Sequence, residues 1–178
     1  MKNSFGVILI LAALVIFGFR ISKGIEFKQN VRGYLKRAAD SNTIQLANEE
    51  ISKAINYLEA NNITSGFTSV LYKTPEEDID FWYRNLKASQ NELQTLSSKS
   101  ALERTNVLIK LRETLLDTGE KTKVTFPKGL HLYPYNKLWA VLTIIALGCL
   151  CYGFIIIAMH YDKLEQLRKK KEVSDVLV

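Results

Sequence analysis

Residues 138–159 have the sequence LWAVLTIIALGCLCYGFIIIAM, an apolar run of 22 residues without a charge. A helix of this length measures about 33 Å, enough to cross the roughly 30 Å hydrocarbon layer of a bilayer. Aromatic residues stand where the run begins, and basic residues follow its end; these boundary residues are Tyr133, Tyr135, Trp139, Arg168, Lys169, Lys170 and Lys171. Interfacial rings and flanking cations are typical of a membrane span, so the sequence predicts a transmembrane helix at 138–159.

A second apolar run extends from Phe5 to Phe19 and contains fifteen residues without a charge. As a helix it measures about 22 Å, which is short for a span, but Lys2 and Arg20 bracket it and can reach the headgroups. A cleavable signal peptide is the alternative, because a charged start and a run of this length suit one. No small-x-small cleavage site follows Arg20, so we expect an uncleaved anchor at 5–19 after a short tail at 1–4.

The positions of Lys and Arg favour one orientation of the two spans. Five cations lie in the tail 160–178, whereas the loop between the spans is too long for its charges to count fully. We therefore expect both termini in the cytoplasm and residues 20–137 outside it, in a bacterial inner membrane or a plasma membrane. The inverted orientation stays open, because the two tails hold six cationic groups and the membrane-proximal loop holds seven.

The residues between the spans carry helical patterns almost throughout. We expect 20–39 to be a basic neck that continues the first helix among lipid headgroups; a solvated helix face is the alternative. The segment 40–120 has apolar residues at three- and four-residue steps, which predicts a small extramembrane bundle of about three helices. Residues expected in its core are Ile51, Leu58, Trp82, Leu86, Leu108 and Leu115.

Local signals mark the ends of these predicted elements. Asp40 or Ser41 could cap the first bundle helix. Thr74, followed by Pro75 and acids, has the spacing of a capping box and predicts the start of the second. Residues 121–137 alternate apolar and polar positions around a Pro-Lys-Gly turn, which predicts an extended strap or hairpin before the second span.

Few side chains could carry chemistry. The two histidines, His131 and His160, lie at opposite membrane boundaries in the expected topology and cannot share a site. Cys149 and Cys151 are two positions apart on a helix, so they point away from each other and cannot chelate one metal or form a disulfide. No phosphate-binding glycine loop and no nucleophile motif occurs. We therefore expect no enzymatic activity, no cofactor, no metal and no small-molecule substrate.

Small residues in the second span indicate a surface for helix packing. Gly148, Cys149 and Gly153 permit close approach of another helix. Neither apolar run contains an ionisable side chain, so a proton or ion path through these two helices alone is not expected.

The net charge differs in sign between the middle of the chain and the segments next to the expected spans. Residues 40–120 contain thirteen acids and eight cations, a net charge of −5, although the whole chain carries +6. The excess of cations therefore lies next to the expected spans, which points to the lipid bilayer as a partner and argues against a nucleic-acid surface.

Three functional hypotheses fit these observations. The first is a non-enzymatic, membrane-anchored interaction or scaffold module that binds a protein partner, and the second is an accessory subunit of a larger membrane complex. The order of helix, helical segment and helix also resembles the ligand-binding part of bacterial chemoreceptors and sensor kinases. That resemblance is architectural and implies a sensor-like extracytoplasmic input domain, without an output module because the tail 160–178 is too short for one.

Overall fold

The chain folds mainly into helices. The computed structural model describes residues 2–70, 73–96, 100–117, 123–127, 129–130 and 136–176, and no β-strand occurs among them. The helices are α1 (Lys2–Phe27), which continues through a π-helical segment (Lys28–Gly33) into α2 (Tyr34–Ala39), then α3 (Ile44–Ala60), α4 (Ile79–Thr95), α5 (Ala101–Leu115) and α6 (Asn136–Val176). The predicted mainly helical class is therefore confirmed.

These helices divide between two compact units. The terminal unit consists of Met1–Ile21 and Leu138–Val178, and the central unit is Ser22–Lys137. The neck predicted at 20–39 thus falls mostly within the central unit, which begins well before position 40.

Two helices are long and apolar enough to cross a membrane, as the sequence predicted. They are Ser4–Ala39 and Leu138–Lys170. In the most apolar 18-residue window of each helix, only 11% of the residues are buried. A core helix of a soluble protein would bury most of such a window, so these helices present apolar side chains outward.

The terminal unit is an antiparallel helix pair with a seven-residue repeat of buried positions. On the first helix the buried residues are Gly6 and Ala13, and on the second they are Trp139, Ala146 and Gly153. A repeat of seven keeps one seam of a helix facing its partner, with the slight left-handed crossing of coiled coils. Because four of these five residues are Gly or Ala, the two backbones approach closely.

The core of the central unit includes the neck. Phe27, Val31 and Leu35 recur every four residues and are each at most 4% exposed. They pack with apolar residues of α3, α4 and α5 in one cluster, joined by the predicted core residues Ile51, Leu58, Leu86 and Leu115, with Trp82 and Leu108 half-buried at its edge. The apolar side of the neck therefore belongs to a protein core, which the sequence did not predict, whereas its position among lipid headgroups stays a prediction.

Helix α3 begins and ends with identifiable caps. The side chain of Thr43, not of Asp40 or Ser41, accepts a hydrogen bond from the backbone N–H of Leu46 at 3.2 Å. At the other end Asn62 adopts the left-handed conformation, with φ of 56°, and the Ile63 N–H donates to the Leu58 carbonyl at 2.8 Å. This six-residue closure buries Ile63 against the core, which fixes the direction of the following loop.

Helix α4 begins later than the capping-box spacing predicts. Thr74 precedes only a short 3-10 turn, Pro75–Glu77, and its hydroxyl donates to the Glu77 carboxylate at 2.9 Å. The cap of α4 is Asp78, whose Oδ1 accepts from the Phe81 N–H at 3.1 Å. Asp78 itself is extended and forms a bridge with Phe67, so the chain cannot be helical until Ile79.

The described part of the predicted strap is extended and pairs with the end of α5. Val124 forms an isolated antiparallel bridge with Leu116. The Thr125 N–H donates to the Leu115 carbonyl at 2.8 Å, and the Asp117 N–H donates to the Lys123 carbonyl at 2.9 Å. Gly129, with φ of 82°, then turns the chain so that Leu130 is buried.

Candidate functional site

One buried carboxylate lies in the central unit. The Glu50 side chain is 1% exposed, and Lys53 Nζ donates to its Oε1 at 2.7 Å. Arg37 Nε lies 3.0 Å from Oε2, without the alignment of a hydrogen bond. Two cations thus balance this carboxylate, and Arg37 connects α2 to α3. A charge neutralised in this way is typical of a structural ion pair and has no room for a substrate.

Two tyrosine–glutamate pairs connect other helices. The Tyr83 hydroxyl on α4 donates to Glu59 on α3 at 2.5 Å, and the Tyr57 hydroxyl donates to Glu26 at 3.2 Å. Partial burial, followed by the hydrogen bond and charge of Glu59, raises the pKa of Tyr83 to about 12. Burial and then Glu26 raise the pKa of Tyr57 to about 12 as well. Both phenols therefore keep their protons at neutral pH and act as donors that link helices.

The predicted membrane-boundary residues have different environments. Arg20 Nη1 donates to Thr143 Oγ1 at 3.2 Å, across the helix pair. The Trp139 ring is 7% exposed and stacks on Phe19 with ring centres 5.6 Å apart, so it packs inside the terminal unit. Arg168, Lys169 and Lys170 are exposed, and Lys169 pairs with Glu165. Tyr133 and Tyr135 lie outside the described residues, as do the side chains of Lys2 and Lys171.

The predicted small-residue surface does not form a single face. A Cβ placed on Gly153 would lie 2.9 Å from the Gly6 carbonyl oxygen, so Gly153 packs against this chain's own first helix. Gly148 has no neighbouring atom within 4 Å of such a Cβ, and Cys149 is half-buried. Gly148 and Gly153 are five residues apart and therefore point about 140° from each other. The structure brings Gly153 into a contact and leaves Gly148 open.

No metal centre is apparent among the described residues, where no group of three His, Cys, Asp or Glu side chains could hold an ion. Cys149 and Cys151 are free thiols. His160 is half-buried on α6, and His131 lies outside the described residues.

A cavity of about 510 Å³ opens in the central unit between the π-helical segment and the strap. Phe27, Lys28 and Arg32 line one side of it. The opposite side consists of Asp117, Lys123, Val124, Thr125, Phe126 and Gly129. Its volume lies within the range of small-ligand sites, roughly 300–1,000 Å³.

The cavity combines positive charge with aromatic surface. Among the described lining residues, Lys28, Arg32 and Lys123 supply three cations, and Asp117 is the one acid. Phe27 and Phe126 meet edge to face with ring centres 6.3 Å apart. Such a lining favours an anion that also carries an apolar part, because the cations attract the charge while the rings contact the apolar part.

The walls of this cavity are held by backbone and side-chain hydrogen bonds. Trp82 Nε1 on α4 donates to the Thr125 carbonyl oxygen at 3.1 Å. Together with the Leu116–Val124 bridge, this bond fixes residues 123–127 of the strap on α4 and α5. The strap therefore presents Lys123 and Phe126 to the cavity from a fixed backbone.

Sequence reasoning missed this site. The four-residue spacing of Lys28 and Arg32 places both on one side of a helix, but contact with lipid headgroups accounts for that pattern equally well. Lys123 and Phe126 are about ninety positions further along the chain, and nothing in the sequence pairs the two segments.

Comparison with known proteins adds no functional information: no family model, no curated protein and no solved structure matches this chain. The function is therefore inferred from the geometry of the folded chain alone.

Proposed function

We propose that this chain is a non-enzymatic integral membrane protein, in which the helix pair anchors a helical interaction module that binds a protein partner. One observation carries the proposal: the central unit encloses its own hydrophobic core, while the two apolar helices leave most of their side chains uncovered. Lipid is the medium that covers such helices without unfolding them. The central unit then serves as the part available for recognition.

The proposed orientation has both termini in the cytoplasm and residues 20–137 outside it, in a bacterial inner membrane or a plasma membrane. It is supported by the cluster of cations after position 160. Single cysteines at Ser65 and Ser174, in a chain with Cys149 and Cys151 changed to Ala, test it with an impermeant maleimide. We expect Ser65→Cys to react in intact cells and Ser174→Cys only after lysis. The reverse result would establish the inverted orientation, and extraction of the protein by alkaline carbonate would refute membrane insertion.

Partner binding has a test of its own, because some apolar side chains of the central unit lie outside the core. Leu102 and Ile109, two turns apart on α5, are 71% and 51% exposed. Crosslinking in native membranes, followed by purification and mass spectrometry, should capture a stoichiometric protein with the natural chain. The double change Leu102→Ser and Ile109→Ser should weaken that capture without unfolding the unit.

The matched control is Phe81→Ser, an exposed apolar residue on α4 at 59% exposure, which should leave capture unchanged. If a membrane complex is captured equally with all three chains, the partner is bound by the terminal unit. That result would favour the accessory-subunit alternative, for which the exposed Gly148 face offers close helix approach. Absence of any captured protein would contradict both functions and leave the sensor-like alternative.

A further inference from the structure

We infer that the cavity between the π-helical segment and the strap binds the phosphate of an anionic amphiphile, an organophosphate that has a net negative charge and an apolar part. Lys28 and Arg32 approach it from one side, and Lys123 from the other. Lys28 and Arg32 are the groups that would hold the phosphate, and Lys123 adds positive charge on the opposite wall. The described lining residues carry a net charge of +2 when Asp117 is counted.

The two cations of the π-helical segment have no carboxylate partner among the described residues. Neither Lys28 nor Arg32 forms an ion pair with any described residue, and Arg32 is half-buried. Most other cations of the central unit with described side chains have carboxylate partners, such as Arg37 with Glu50 and Lys110 with Glu92. Two neighbouring cations without partners repel each other, so a bound anion would stabilise this part of the molecule.

The backbone that carries Lys28 and Arg32 is unusual. Residues 28–33 form a π-helix in the middle of an otherwise α-helical stretch. Such segments are rare and occur frequently at functional sites, because the wider turn changes the direction of the side chains. Here the π-helical segment contributes Lys28 and Arg32 to the cavity and Val31 to the core.

The donor groups of these two cations favour one chemistry of the anion. The guanidinium of Arg32 and the ammonium of Lys28 offer several donors in different directions, which suits the tetrahedral oxygens of a phosphate better than the planar pair of a carboxylate. Phe27, Val124 and Phe126 then provide contact for an apolar part. A membrane lipid and a soluble organophosphate both have this chemistry. The lipid source rests on the proposed membrane insertion, whereas the anion site does not.

The test uses the full chain, purified in a neutral detergent, with Trp139 changed to Phe. Trp82 is then the only tryptophan, and its ring is bonded to Thr125 in the cavity wall. Three probes are compared: dihexanoyl phosphatidylglycerol, dihexanoyl phosphatidylcholine and hexyl phosphate, which is a soluble organophosphate with an apolar chain. Native mass spectrometry counts the bound molecules, and Trp82 fluorescence reports whether they occupy this cavity.

We expect one phosphatidylglycerol to bind saturably and to bind at least tenfold more tightly than phosphatidylcholine. Arg32→Gln and Lys28→Gln should each weaken it about tenfold, which is the usual effect of losing one charged hydrogen bond. The matched control Arg104→Gln removes an exposed cation on α5 and should have no effect. Lys28 is exposed, so Lys28→Gln tests the site even if Arg32→Gln were to disturb folding.

The probes also separate the two sources. Tighter binding of phosphatidylglycerol than of hexyl phosphate assigns the site to a lipid, and equal binding assigns it to a soluble organophosphate. The inference is overturned if neither anion binds saturably, if phosphatidylcholine binds as well as phosphatidylglycerol, or if Arg104→Gln weakens binding as much as Arg32→Gln. If the protein binds the anion but is extracted from membranes by alkaline carbonate, the anion site is supported and the proposed membrane anchor is refuted.

Discussion

Changing Gly153 to Ala tests the close approach of the two terminal helices. The added Cβ would lie 2.8 Å from Ile10 Cγ1 and 2.9 Å from the Gly6 carbonyl oxygen. The Ile10 side chain can rotate away, but the carbonyl oxygen belongs to a helix backbone. The helices must therefore separate at this point. Gly148→Ala is the matched control, because nothing lies within 4 Å of its new Cβ on the same helix.

The magnitude follows from the separation required. Ordinary contact begins at 3.4 Å, so the backbones must part by about 0.5 Å. A gap of that size forfeits roughly a quarter of the attraction of each affected atom pair, and overpacking of this kind costs about 1–3 kcal/mol. Gly→Ala in a helix gains up to about 1 kcal/mol of intrinsic propensity, and both variants share that gain. The difference between the two variants therefore isolates the packing contact.

Fluorescence of Trp139 provides the assay. Its ring stacks on Phe19 within the helix pair, and Trp82→Phe leaves it as the only tryptophan. Thermal unfolding in a mild detergent should show Gly153→Ala destabilised by about 2 kcal/mol relative to Gly148→Ala. Equal stability of the two variants would refute the contact between Gly6 and Gly153, and with it the seven-residue seam.

Two further predictions concern the central unit. Asp78→Ala should lower its unfolding free energy by about 1 kcal/mol, because the Phe81 N–H loses its acceptor, whereas Thr74→Ala should cost less. A thermal melt followed by Trp82 fluorescence compares the two variants. A larger loss of stability for Thr74→Ala would show that the capping box at Thr74 starts the helix. Tyr83 has a pKa of about 12 in the folded protein, against an ordinary tyrosine value of 10.0. Because the unfolded chain loses this proton first, the contribution of Tyr83 to the unfolding free energy should stay constant below pH 10 and fall between pH 10 and pH 12. Tyr83→Phe should reduce that fall, and the absorbance of tyrosinate near 295 nm should show one fewer late-titrating group; an unchanged titration would contradict the bond to Glu59.

Sequence patterns predicted the elements better than their partners. Apolar runs and three- and four-residue steps locate α3, α4, α5 and the apolar parts of α1 and α6, because they reflect burial along a single element, whereas the helical continuation of α6 to Val176 was not predicted. The predicted cap of α4 is wrong because Thr74, Pro75 and Glu77 satisfy the spacing rule, yet the bridge between Phe67 and Asp78 holds the chain extended past them. That bridge joins residues eleven positions apart, and a rule that looks at one helix end cannot detect it.

The spacing of small residues in the terminal helices indicates a packing seam but not its partner helix. Gly6 and Ala13 are seven residues apart, and so are Ala146 and Gly153, which is the spacing of one packing seam. The spacing alone does not say which helix faces that seam. Gly148 is another small residue on the second helix, but its angle from Gly153 already excludes a common face.

The neck explains why the cavity could not be foreseen from charge alone. Phe27 and Val31 have the same four-residue spacing as Lys28 and Arg32, shifted by one position, so an apolar stripe and a cationic stripe run side by side. A helix that lies among headgroups needs only the second stripe, whereas burial of the first requires a folded protein beside it. Once the apolar stripe is buried in the core, the cations must emerge at the core's edge. The strap covers that edge, and the space left between them is the cavity to which we assign the phosphate.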